Sequence, residues 1–180
     1  MTAIRLLTAA ECAAYQALRR MMLQSDPWAF DATIDDDVVA TDTALHALLA
    51  RTDDDLLIIT HPESSTRLIG AVGVVRRRPV TLGHRALIWG FYVDPDFRGA
   101  GHGRALLEAA IQHAAVWPGI DSIGLSVSTR SDAALALYES AGFVAWGREP
   151  ECVALDGQRY DEVHLVYSVP GAGGSSSSAS

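Results

Sequence analysis

The sequence predicts a mixed α/β (α+β) fold, a mixed sheet with helices on both faces. Three observations carry this expectation. Runs rich in β-branched and aromatic residues alternate with stretches whose apolar residues recur every three or four positions. One long β-rich run stops at Asp94-Pro95 and passes through a glycine-rich loop into an amphipathic stretch. The last two β-rich runs are joined by Asp156-Gly157, a strong hairpin pair. Elements in this order bury their apolar faces by stacking helices against a sheet.

Ile4 to Leu7 reads as a short strand. Thr8-Ala9-Ala10-Glu11 has the capping-box pattern, in which the hydroxyl and the carboxylate each satisfy an orphan backbone donor. Cys12, Tyr15, Leu18, Met21 and Met22 give the next helix one apolar face, up to the break at Ser25-Asp26-Pro27. Residues 26–42 form an acidic connection in which Asp35-Asp36-Asp37 reads as a solvated charge run, and a second helix spans about Thr43 to Leu49. Leu56–Thr60 and Leu68–Val75 are antiparallel partners across the turn-forming His61-Pro62-Glu63-Ser64-Ser65. Arg85 to Val93 is a third long strand. A helix then runs from the loop at Arg98–Gly103 to about Val116, with Leu106, Leu107, Ala110 and Ile111 as its buried stripe. Ser122–Val127 is a strand and Asp132–Ser140 the last helix, stopped by Ala141-Gly142. Phe143–Trp146, Cys152–Leu155 and Tyr160–Val169 are three further strand segments. One domain over residues 1–169 is expected, with the Gly/Ser-rich residues 170–180 disordered.

The 180 residues are 49% hydrophobic and 20% charged, enough for a core that needs neither disulfides nor metal. The formal charge is −8, and all 14 basic residues are Arg. Residues 1–60 carry ten Asp/Glu against four Arg. This balance argues against nucleic-acid binding, whose affinity comes largely from cations on phosphate, and favours a cationic small molecule or peptide. Cys12 and Cys152 are too few for a disulfide framework or a zinc site. The N-terminal residues lack the apolar stretch of a secretory signal, and no apolar run approaches the roughly 20 residues that span a bilayer. A cytoplasmic, metal-free protein away from membranes is the expectation.

The most informative stretch is Val93-Asp94-Pro95-Asp96-Phe97-Arg98-Gly99-Ala100-Gly101-His102-Gly103. Glycines let successive backbone N–H groups turn into one concavity, and the following helix adds about half a positive charge at its N-terminus. That is a seat for a phosphate or pyrophosphate, although a turn that only lets strand and helix pack closely uses the same glycines. A Walker loop requires the lysine this chain lacks, and the dinucleotide fingerprint requires a third glycine where Arg104 stands. In full context the stretch resembles the acetyl-CoA loop of the GNAT superfamily of N-acetyltransferases, Arg/Gln-x-x-Gly-x-Gly/Ala after a strand ending Val-x-Pro. Val93, Pro95, Arg98, Gly101 and Gly103 carry the match. A second block, Leu125 to Phe143, resembles that family's next strand and helix, ending in Leu137-Tyr138, three variable residues and Gly142-Phe143. Ser131 stands where many relatives carry Asn, and Asp156 to Leu165 resembles the final hairpin.

The resemblance implies a GNAT-type, mostly antiparallel sheet of six to seven strands. Arg85–Val93 and Ser122–Val127 would be parallel neighbours that splay apart and take the pantetheine arm of acetyl-CoA between them. Backbone contacts from Phe91, Tyr92 and Val93 are implied, with a pyrophosphate seat on Arg98, Gly99, Ala100, Gly101, His102 and Gly103, charge from Arg104, and a further contact at Ser131. Gly90 fits a bulge or a packing contact in that strand. The reaction implied is direct attack of a neutral amine on the thioester, with Tyr138 as the acid that protonates or hydrogen-bonds the leaving thiolate. Acetyl-CoA and an amine acceptor, a small molecule or a peptide, are the implied partners, and a homodimer is compatible with the pattern. Protein N-termini or side chains as acceptors, and a catalytically silent CoA-binding module, are the alternatives.

The base is not set by the resemblance. Many relatives place a Glu in the strand before the loop, yet Arg85–Val93 contains no carboxylate. Candidates are Glu149, Glu151 and Glu162, with His84 or Tyr92 acting through a water. Gly124-Leu125-Ser126-Val127-Ser128 misses the hydrolase elbow Gly-x-Ser-x-Gly at its last position, and the six His show no metal-site spacing. Arg76-Arg77-Arg78 is a surface patch or at most an anion contact. Trp89, Trp117 and Trp146 are core or pocket wall by default, whereas Trp28 and Phe30 lie in the connection that in this family often lines the acceptor side.

Overall fold

The chain folds as β1 (Ile4–Leu6), α1 (Cys12–Ser25), α2 (Asp42–Leu49), β2 (Asp54–His61), β3 (Ser64–Arg76), β4 (Arg85–Val93), α3 (His102–Ala115), β5 (Ser122–Ser128), α4 (Asp132–Ser140), β6 (Val144–Leu155) and β7 (Gln158–Ser168). These elements come from a computed structural model that describes residues 3–37, 39 and 41–171. Apart from Pro170 and Gly171, the tail expected to be disordered lies outside the described residues. The strands form one seven-stranded sheet in the order β1-β2-β3-β4-β5-β7-β6, antiparallel throughout except for the parallel pair β4–β5. The mixed, mostly antiparallel sheet covered on both faces is thus the one the sequence predicts.

Two apolar clusters sandwich the sheet. Tyr15, Leu18 and Met22 of α1 and Leu45 and Leu48 of α2 pack on Leu56, Ile58 and Tyr92. Leu106, Leu107 and Ala110 of α3 and Tyr138 of α4 pack on Ile69, Val72, Ile88, Ile123 and Leu165. On α1 Cys12, Tyr15, Leu18 and Met22 of the expected stripe are buried while Met21 is half-buried, and on α3 it is Ala114 rather than Ile111 that completes the fully buried set. At the start of the chain, Glu11 closes the cap by accepting from the Thr8 N–H at 3.1 Å. Arg5 first, and then Thr8, hold the Glu11 carboxyl down to about 2.

Two local expectations are corrected. Phe143–Trp146 and Cys152–Leu155 belong to one strand, because β6 crosses Pro150 through register shifts between Glu149 and Val153. As the last strand of the sheet, β6 tolerates a proline that donates nothing to a ladder, and the Glu151 N–H, at φ 53°, is taken by the Asp161 carboxylate at 2.8 Å. The aspartate run is not uniformly solvated either. The Asp37 side chain is 3% exposed and pairs at 2.9 Å with that of Arg19, itself 7% exposed and stacked on Phe30. This buried pair pins the connection after α1 against the helix. Removing one partner strands the other charge, so Arg19→Ala is expected to lower stability by about 3–5 kcal/mol in urea denaturation.

Candidate active site

β4 and β5 pair only at Arg85–Ser122, Ala86–Ile123 and Leu87–Gly124. Beyond Leu87 the two strands separate, which leaves a cleft of about 640 Å³ between their edges, the loop before α3, and α4. The cause is written in β4. Across from it Ala71 faces Tyr92 while Gly73 faces Trp89, so Gly90 and Phe91 together oppose Val72 alone. Gly90 supplies the positive φ of 59° that such a bulge requires. The extra residue shifts the side-chain phase, sending Phe91 to the α3–α4 face and leaving Tyr92 on the α1 face.

Backbone direction follows from the same register. The Asp94 N–H donates to the Ile69 carbonyl at 2.8 Å, so Asp94 and, two residues back, Tyr92 direct their backbone groups at β3. Val93 and Phe91 direct theirs into the cleft. This corrects one expectation: Tyr92 belongs to the cleft wall, but its backbone is spent on the sheet. Its hydroxyl bonds Ser25 Oγ at 2.9 Å, and burial first of all raises its pKa.

The loop that closes the cleft is held from below. Asp94, 2% exposed, accepts from the Asp96 N–H at 3.1 Å and pairs with Arg67 at 2.9 Å, which fixes the turn at Pro95. Gly99 and Gly101 then take φ of 78° and 85°, with no heavy atom within 4 Å of where a Cβ would stand. The helix begins at His102, so the N–H groups of His102, Gly103 and Arg104 lack intrahelical acceptors. Gly99, Gly101, Gly103 and Arg104 line the cleft, whereas Ala100 of the loop and His102, the first residue of α3, do not. Ser131, the residue before α4, lines the opposite wall. Arg98 is more committed than the sequence suggests, because its Nε donates to the Val93 carbonyl at 2.8 Å and its Nη2 to Asp26 at 2.7 Å. Arg104 donates to Ser140 Oγ at 2.8 Å.

Tyr138 lines the cleft from α4 with its ring edge-on to Phe91, at 5.7 Å, and to Phe143, at 6.0 Å. It is 5% exposed, and burial alone pushes its phenol well above the ordinary value. No other described residue hydrogen-bonds its hydroxyl. A protonated phenol with no hydrogen-bond partner among the described residues therefore lines the cleft that the glycine loop closes.

The Acetyltransferase (GNAT) family model matches residues 13–143. The chain belongs to the GNAT family. A GNAT acetyltransferase from Streptococcus pneumoniae superposes on it with a TM-score of 0.80 at 20% identity, covering 94% of this chain and 100% of that one. A phosphinothricin acetyltransferase from Sinorhizobium meliloti, in complex with AcCoA, does so at 0.78 and 16% identity, covering 93% and 88%. A mycothiol acetyltransferase from Kocuria rhizophila is 48% identical over 54 residues, 30% of this chain and 18% of that protein. The matched regions span less than two thirds of the curated relatives' own lengths.

In this GNAT protein only Tyr92 of the candidate bases lines the cleft, with its hydroxyl on Ser25. His84 precedes β4 at the paired end of the β4–β5 gap, Glu149 bonds His164 at 3.1 Å, and Glu151 pairs with Arg159 at 2.9 Å. Of the candidate carboxylates Glu162 comes nearest. It is 7% exposed on β7 and sits directly across from Ser128, a cleft residue. Trp28, Phe30 and Trp89 do line the cleft, whereas Trp146 is surface, 63% exposed beside His164. Asp26 and Arg130 also line it. Neither carries a motif signal, since one reads as a helix stop and the other as a turn residue two positions before a helix. Among the described residues no group of His, Cys, Asp or Glu is arranged to hold a metal ion, and no helix is long and apolar enough to cross a membrane.

Proposed function

We propose that this chain, as one domain over residues 1–169 in a cytoplasmic setting, is an acetyl-CoA-dependent N-acetyltransferase acting on a primary amine. The observation that carries the reading is the splayed β4–β5 gap, which runs from a glycine loop at a helix N-terminus to the Tyr138 phenol. The gap fits acetyl-CoA as donor substrate. The N–H groups of residues 99–104 suit its pyrophosphate, the backbone of Phe91 and the N–H of Val93, whose carbonyl is taken by Arg98, suit its pantetheine amides, and Ser131 the opposite side of the arm. The acceptor amine attacks the thioester carbonyl carbon and forms the new C–N bond, and the C–S bond breaks. Cleft N–H groups of β4 stabilise the oxyanion, and Tyr138 donates its proton to the departing thiolate. Burial raises the Tyr138 pKa and so keeps the phenol in the protonated form that can donate. The amine proton leaves past Ser126 and Ser128 toward Glu162, a buried carboxylate across from Ser128 with no ion-pair partner among the described residues.

Thiol release from acetyl-CoA, measured across a panel of primary amines and peptides, tests this. Amine-dependent release with one acetyl group gained by the acceptor nitrogen is expected. CoA binding without release for any acceptor would instead leave the silent binding module.

A further inference from the structure

Arg130 is placed unlike the other arginines of the cleft. Arg98 is drawn onto Asp26, and Arg104 lies toward Ser140 and Glu108. Arg130 has no carboxylate partner among the described residues, in a chain where 22 acids outnumber 14 arginines. It is held by aromatic rings instead. Its guanidinium carbon lies 4.3 Å from the centre of the Trp28 ring and 5.1 Å from that of Tyr160, and Nη1 donates to the Tyr160 hydroxyl at 3.1 Å. No described residue accepts from the in-plane N–H donors on Nε and Nη2. Such an oriented fork, already ordered by its neighbours, suits the two oxygens of a carboxylate.

A second charge stands close by. Glu162 follows Tyr160 by two residues on the same face of β7, about 7 Å along the strand, and is buried with the Cys152 thiol as a hydrogen-bond partner and no ion-pair partner among the described residues. A cation at the cleft and a buried carboxylate one strand repeat away form a dipole. The ligand that satisfies both is a zwitterion with the reverse polarity.

Building on the acetyl-transfer reading, we propose that the acceptor is a free α-amino acid, its carboxylate forked by Arg130 and its amine turned toward Glu162. A simple amine leaves the Arg130 donors unpaired and meets their charge. A peptide N-terminus presents an amide where the carboxylate belongs.

The test compares kcat/KM for L-amino acids with that for their carboxamides and decarboxylated amines, side chain by side chain, in the wild-type protein and in Arg130→Gln and Arg130→Lys. The free acids are expected to be preferred about a hundred-fold. Arg130→Gln should reduce that preference to a few-fold, chiefly through KM for the acceptor, and Arg130→Lys should restore part of it. Equal or better turnover of the carboxamides or amines overturns the proposal, and so does a preference that survives in Arg130→Gln. Calorimetric binding of the same amino acids to the CoA-saturated protein separates this proposal from the reading beneath it. Arg130-dependent binding without acetyl transfer to any amine supports the anion site while removing the acetyltransferase reading. Acetylation of simple amines that ignores Arg130 does the reverse.

Discussion

Tyr138→Phe is expected to lower kcat by about a hundred-fold or more while KM for acetyl-CoA moves only a few-fold. The substitution removes one oxygen and leaves the ring, so the edge-on contacts to Phe91 and Phe143 persist. The hydroxyl makes no hydrogen bond to another described residue, and its loss leaves no protein group unsatisfied. A large kinetic effect with a small change in melting temperature therefore isolates the proton donor from the fold. The pH profile supplies a second readout. Burial raises the Tyr138 pKa, so the acid form persists through the ordinary tyrosine range near pH 10. In wild type, kcat should rise as the amine deprotonates and show no falling limb below about pH 10. A limb that falls near pH 8 would assign the acid to another group.

Gly101→Val is expected to weaken acetyl-CoA binding by about a hundred-fold. The backbone at Gly101 has φ 85°, and an L-residue held there costs about 1–2 kcal/mol, more when β-branched. The loop relieves the strain by turning its amides, which is the arrangement a pyrophosphate requires. The new side chain also stands in the open space the donor would fill, because nothing of the protein lies within 4 Å of the Cβ position. A matched control exists in Gly119. Its φ is 76°, its surroundings are equally open, and it sits in the turn between α3 and β5, away from the cleft. Gly119→Val should carry a similar backbone penalty in stability with no loss of affinity. If both variants bind acetyl-CoA as wild type does, the phosphate seat lies elsewhere.

Much of this site was legible because it is local in sequence. The strand, the glycines and the first turn of α3 are contiguous, so periodicity and backbone chemistry together mark the loop. Leu137-Tyr138 and Gly142-Phe143 mark α4 in the same way. What escaped is what the topology assembles. Arg98 and Asp26 are 72 residues apart, and their pairing depends on α1 ending beside the loop. Arg130 acquires its character from Trp28 and Tyr160, one from each side of it in the chain. Asp37 sits in a run of three aspartates and would read as solvated anywhere; only the docking of Arg19 buries it. The direction of the Tyr92 backbone required the β3–β4 register, and a one-residue bulge reverses such parities.

The account is tested most directly by a crystal structure with CoA bound. It predicts the pantetheine amides on the cleft edge of Phe91 and Val93, the pyrophosphate on the N–H groups of residues 99–104, and the sulfur within hydrogen-bonding reach of the Tyr138 hydroxyl. A CoA molecule bound outside the β4–β5 gap, or one whose sulfur lies beyond the reach of Tyr138, would contradict it.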